Sequence, residues 1–175
     1  MRLFGLAAWS GSGKTTLLDR LLPALIERGF SVSTVKHAHH DFDLDQRGKD
    51  SFRHREAGAT EVLIASATRW ALQHELRGGA EPALADLVAH MSPVDLLLVE
   101  GFKRHAHPKL EVLRPSLGKA PLYPGDPLIR WIYAVEPLPT PLRETISLPI
   151  YDSGDIAGIA DLVVAEAAPI EREGP

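Results

Sequence analysis

No cysteine occurs anywhere in this chain, so neither a disulfide framework nor a thiolate-held metal is open to it. No apolar run approaches the roughly 20 residues that a membrane-spanning helix needs, and neither internal repeats nor low-complexity tracts occur. A net charge of −4 offers no general basic face, so neither nucleic acid nor a membrane surface is expected as a partner. What remains is 175 residues, 45% hydrophobic and 24% charged, long enough to bury one sizeable core and short for two. The expectation is one domain over residues 1–167 with a frayed tail at 168–175, in a reducing, cytoplasmic setting.

The opening MRLFGLAAW places a short apolar stretch directly before polar SGSGKTT, which reads as a buried strand and not as a signal peptide. Leu17, Leu18, Leu21, Leu22, Leu25 and Ile26 then recur at helical spacing up to the stop signal Gly29, with Pro23 predicting a kink near residues 19–23. Residues 31–36 form a β-branched strand and complete a right-handed βαβ unit. Asp50 predicts a cap for a helix over 51–57, and residues 61–66 and 69–76 predict a hairpin turning at Ala67 and Thr68. A helix over 82–90 follows, then a second wholly apolar strand at 96–99 and further strands at 109–113 and 130–135. The segment RPSLGKAPLYPGDP reads as an exposed loop, and 156–167 as a last helix. This order predicts a three-layer α/β/α sandwich with a mostly parallel sheet and an added β-hairpin, and the glycine-rich SGSGKTT between the first strand and helix makes it of P-loop NTPase type.

Ala8 to Thr15 matches the phosphate-loop pattern G-x-x-x-x-G-K-[ST] at every fixed position except the first, where Ala8 replaces glycine. Gly11 and Gly13 allow the backbone dihedrals that gather N–H groups around an anion, and the following helix points its positive end at the same place. Lys14 is expected on the β- and γ-phosphates, the Thr15 hydroxyl on Mg2+ and Thr16 on the α-phosphate. A bare glycine-rich helix cap is the competing reading. The strand before and the helix after argue against it.

A phosphate loop needs a carboxylate near its magnesium. VDLLLVEGF holds two, Asp95 and Glu100, separated by roughly 16 Å along a strand rising about 3.3 Å per residue. Ligands collect at the carboxyl ends of parallel strands, which selects Glu100 to hold the metal or position the attacking water. In the loop HAHHDFDLDQRGKDS, the spacing of Asp41, Asp43 and Asp45 suggests a calcium loop, but Gln46 and Phe52 stand where such a loop needs glycine and glutamate. His37, His39 and His40 are candidates for a transition metal, although on a strand His40 faces away from the other two. The favoured reading is a switch-like loop in which Asp45 or Asp41 reaches the magnesium shell and the histidines meet substrate or partner. A solvated polar loop is the alternative.

The stretches AAWSGSGKTTLL, VKHAHHDFDLDQRGKDS, EAGA, RWAL and LLLVEGFK together resemble the molybdopterin-guanine dinucleotide biosynthesis adaptor family, protein B. The resemblance covers nearly the whole chain and implies a homodimeric protein that binds GTP with Mg2+ and hydrolyses it slowly. It also implies an accessory role for a separate guanylyltransferase that attaches GMP to molybdopterin. Carried over by position, Gly11 to Thr16 hold the phosphates, Thr15 and Glu100 serve the metal, and Asp45 lies in the adjoining loop. The expected site is therefore Ser10, Gly11, Ser12, Gly13, Lys14, Thr15 and Thr16 on the nucleotide, Lys14, Glu100 and Asp45 as the catalytic set, and Thr15, Glu100 and Asp45 on the metal. Nothing is carried over to residues 113–127. The guanine motif [NT]-K-x-D is absent, leaving Glu136 as a candidate partner for the base. The rival readings are a small-molecule kinase or ATP-dependent ligase with a lid carrying Arg53, Arg55, Lys103 or Arg104, and a non-catalytic metal-binding or scaffold protein using the histidine loop.

Overall fold

β1 (Arg2–Ala7) carries Leu3, Phe4 and Leu6, each at most 1% exposed. A strand apolar on both faces belongs inside a sheet covered by helices on either side. The computed structural model, which describes residues 1–38, 42–102 and 105–170, places it there. β1 lies between β5 (Leu96–Glu100) and β6 (Lys109–Leu113), with β2 (Val32–Lys36) beyond β5 and with β7 (Ile129–Ala134) and β8 (Ile150–Asp152) beyond β6. All of these neighbours run parallel. Ala168 and Pro169, at the start of the segment expected to fray, instead form a short strand, β9, antiparallel to β1 at Arg2 and Leu3.

α1 (Lys14–Glu27) and α5 (Ile156–Glu166) cover one face, packing Leu17, Leu21, Leu25, Ile159 and Val163 on Phe4, Leu6, Leu98 and Leu110. On the other face α3 (Leu84–Ala89) sets Leu84 and Val88 against Leu3, Leu97 and Val99, and α4 (Thr140–Thr145) brings Leu142 to Ile129 and Ile132. α1 runs through Pro23, whose ring is exposed, and Ile26 is 58% exposed instead of joining the apolar face. α4 and β8 were not expected from the sequence, because six and three residues are too few to establish a period.

This architecture belongs to a unit comprising Met1–His37 and Leu84–Pro175, while Ala38–Ala83 forms a second compact unit. The second unit contains α2 (Asp50–Glu56) and the hairpin of β3 (Glu61–Ala65) and β4 (Trp70–His74), which pairs Leu63 with Leu72 and Ala65 with Trp70. Asp50 is the first residue of α2 and not its cap; Lys49 holds the cap position, and the acidic side chain in the first turn still complements the helix dipole. Among the described residues, Val62 is the unit's one buried apolar side chain. Arginines do the work a core would do: Arg55 binds Asp43 and Asp45 at 2.8 and 3.1 Å, and Arg77 binds the carbonyls of Arg55 and Ala59.

The larger unit also buries charge. Lys109 and Glu111 alternate with Leu110 and Val112 along β6, a pattern that ordinarily puts the charged face in water, yet they are 2% and 1% exposed. The loop after β6 covers them and supplies their partners. Lys109 Nζ lies 2.9 Å from Asp126, and Glu111 accepts the N–H groups of Leu122 and Tyr123 at 2.8 and 2.9 Å. His107 is buried beside them against Gly5, where any Cβ would collide with its ring.

Burial, reinforced by the Lys109 charge, holds the His107 imidazole down at about 4. Because the unfolded chain takes up this proton near pH 6.5 and the folded chain does not, stability is complete above that pH and declines as pH falls towards 4. Urea unfolding of the wild type between about pH 7 and pH 5 should therefore lose roughly 2 kcal/mol through this residue, and His107→Gln should remove that part of the loss.

Candidate functional site

The phosphate loop is the turn by which β1 becomes α1. Gly11 and Gly13 have φ of 81° and 95°, a left-handed conformation that side chains disfavour. Ser12 is buried at 2% exposure and its N–H bonds the Trp9 carbonyl at 3.2 Å, closing the turn. Gly13 caps α1 without a side chain, and no acidic residue occupies the first helical turn. The positive end of α1 is thus not neutralised from its own sequence. Ser10, Thr15 and Thr16 are exposed around it.

Glu100 ends β5 and is 9% exposed. Its Oε2 lies 3.2 Å from Lys14 Nζ, so the two sequence candidates meet. Asp95 sits at the other end of the same strand, where its carboxylate accepts the N–H and hydroxyl of Ser31 and is held below the usual carboxylate range by them. Strand polarity therefore separates the two acids as the sequence suggested.

The turn after Glu100 is tightly built. Gly101 and Phe102 have φ of 87° and 46°, and a Cβ on Gly101 would stand 2.6 Å from that of His37. His37 donates its N–H to the Glu100 carbonyl at 2.8 Å and sets its ring against that of Phe102, centroids 5.1 Å apart and planes tilted by 44°. His37 thus braces the end of β5. His39, His40 and Asp41, and likewise Lys103 and Arg104, lie outside the described residues. Asp45 belongs to the second unit and engages Arg55 through both oxygens, at 3.1 and 3.3 Å. Arg55 in turn is committed to carboxylates and is not a free lid cation.

The loop following β6, for which no role was expected, lies against the phosphate loop. Trp9 Nε1 donates to the Ala120 carbonyl at 2.8 Å, Leu117 approaches Gly11, and Arg114 Nη2 stands 3.1 Å from where a Gly13 Cβ would be. Glu136, the candidate for guanine, accepts from the N–H and hydroxyl of Ser116 at 2.6 and 3.0 Å. Both its oxygens are taken up in fastening this loop. The alternation of charge in HPKLEVLR was the available signal that something covers β6.

Residues 3–135 match the family model described as "Molybdopterin guanine dinucleotide synthesis protein B". The chain belongs to this family. It is 43% identical over 166 residues to the molybdopterin-guanine dinucleotide biosynthesis adapter protein of Escherichia coli K12, covering 93% of this chain and 91% of that one. It is 38% identical over 164 residues to the adapter protein of Haemophilus influenzae, covering 92% and 86%. Among solved structures, Bacillus subtilis MobB aligns over 97% of this chain and all of its own, with a TM-score of 0.69 and 24% identity. A MobB homologue from Bacillus stearothermophilus aligns over 95% and 97%, with a TM-score of 0.66 and 24% identity. These structural likenesses share the mostly parallel sheet and flanking helices found here.

The brace at the end of β5 predicts a steric coupling. Gly101→Ala should lower stability by about 2–3 kcal/mol in urea unfolding, from the left-handed backbone and the collision with His37. His37→Gly in the same background should recover the steric share, giving a double-mutant coupling that two independent sites would lack.

Proposed function

We propose that this chain is a GTP-binding adaptor with weak GTPase activity, assisting a guanylyltransferase that attaches GMP to molybdopterin. The observation that carries the nucleotide part is the Lys14–Glu100 pair beside a helix N-terminus with no acidic cap. An ammonium and a carboxylate there serve a bound triphosphate jointly: Lys14 moves its charge onto the phosphates, and Glu100 is released for the metal or the attacking water. The adaptor part rests on family membership and on the names of the two relatives.

The donors suit Mg2+, a hard cation that takes oxygen ligands and commonly combines one or two carboxylates with substrate phosphates. Thr15 would offer a hydroxyl and Glu100 a carboxylate. Bound there, the ion would neutralise charge developing on the phosphates. Asp45 spends its carboxylate on Arg55, so metal binding is assigned to Thr15 and Glu100. The kinase or ligase reading draws no support from Arg55 for the same reason.

The second unit supports a homodimer. On one face of its hairpin Leu63, Trp70 and Leu72 are 61%, 64% and 39% exposed, and both hairpin edges lack a further strand among the described residues. A two-stranded sheet with an open apolar face is marginal alone, and pairing with a second copy covers it. No described helix is long and apolar enough to cross a membrane.

Two experiments test these readings. Lys14→Ala should abolish measurable GTP binding and fail to support molybdenum-cofactor maturation in cells lacking the native adaptor; full retention of both would defeat the phosphate-loop reading. In sedimentation at micromolar concentration the wild type should be dimeric and Trp70→Glu monomeric, whereas a monomeric wild type would remove the hairpin interface.

A further inference from the structure

We propose that Arg114 is a phosphate-binding residue of the nucleotide site, acting with Lys14 and the N-terminus of α1. The inference rests on the nucleotide reading given above and adds a residue that the phosphate-loop motif does not contain. Arg114 is the first residue beyond β6, at the same carboxyl-terminal sheet edge from which the phosphate loop leaves β1. Its Nη2 faces Gly13 with the Val135 methyl groups alongside, so the guanidinium borders the cap residue of α1.

Two features of this placement call for an anion. The first is charge: a guanidinium beside the positive end of a helix is repelled by it, and the field of the Glu136 carboxylate offsets this only in part, since among the described residues Arg114 makes no direct ion pair. Glu100 is paired with Lys14, and both oxygens of Glu136 accept from Ser116. The second is an orphaned donor. Arg114 Nε is buried without a hydrogen-bond partner, an unfavourable state for a charged donor. Nε–H and one Nη2–H point in parallel along the same edge of the guanidinium, the fork that binds two oxygens of one phosphate. A phosphate beside Gly13 would satisfy the donor and remove the repulsion together.

The loop that follows Arg114 is held in place. Glu136 fastens Ser116, Glu111 fastens Leu122 and Tyr123, Lys109 fastens Asp126, and Trp9 fastens Ala120, so the segment beginning at Arg114 is tied at four points. Little ordering remains to be done on binding, and preorganisation of that kind favours affinity. The buried polar face of β6 thereby gains a purpose: it anchors the segment that carries the arginine.

Calorimetric titration of the full-length protein with GTP, GDP, GMP and guanosine in magnesium buffer tests the proposal. Arg114→Gln should weaken GTP binding by about 10- to 100-fold, the range expected for a charged hydrogen-bonded contact. The loss should shrink from GTP through GDP to GMP and vanish for guanosine, while Arg114→Lys should recover part of it. The melting temperature of the nucleotide-free variants should be no lower than that of the wild type. Equal losses for all four ligands would make Arg114 a merely structural support and overturn the proposal. So would wild-type GTP affinity in Arg114→Gln when Lys14→Ala has lost it. Absence of binding by the wild type itself would instead remove the nucleotide reading and this inference with it.

Discussion

β1 is hydrogen-bonded along both edges to parallel strands, and the rest of the molecule is organised around that constraint. A strand so enclosed needs apolar side chains above and below, which Leu3, Phe4 and Leu6 supply, each contributing about 1.5–3 kcal/mol by burial. It also needs a gap at Gly5, where His107 comes too close for a side chain. Parallel pairing then sends β5, β1 and β6 out of the sheet at one edge. Glu100, the phosphate loop and Arg114 are what follow from those exits.

The two sides of this edge are secured by different means. On the β5 side the backbone does it, through the left-handed turn at Gly101 and Phe102 and the brace from His37. On the β6 side buried charge does it. Glu111 lies in surroundings that push its carboxyl above the usual range, and accepting two backbone N–H groups works against that push. Lys109, 2% exposed, holds Asp126 at 2.9 Å. Such groups are expensive unless fully satisfied, and satisfied ones specify a single loop conformation, which fits a segment lying against the phosphate loop.

Much of this was legible in the sequence because its signals are local. The apolar runs of β1 and β5, the glycines of the phosphate loop and the helical spacing of α1 identify the strand–loop–helix edge of the fold without reference to distant residues. Strand polarity then separates Glu100 from Asp95. The contributions of Arg114, Glu111 and His107 were not legible, because they depend on a loop folding back over a strand whose alternation ordinarily means one wet face. Asp45 was read as a metal-side carboxylate from its place in an acidic loop, and nothing local showed that Arg55, ten residues later, would engage it. The separation of residues 38–83 into a unit of their own was equally hidden, since that unit is held by arginines and not by an apolar core.

Molybdopterin-guanine chemistry requires a guanine nucleotide, yet the donors gathered at Gly11, Gly13 and Lys14 suit phosphate, and the sequence carries no [NT]-K-x-D motif for the base. Direct titration of the wild-type protein with GTP and with ATP, each with magnesium and with the metal chelated, therefore bears most closely on the account. It predicts saturable GTP binding that is tighter than ATP binding and weakened by chelation. Failure to bind either nucleotide, or equal affinity for both with no effect of magnesium, would contradict it.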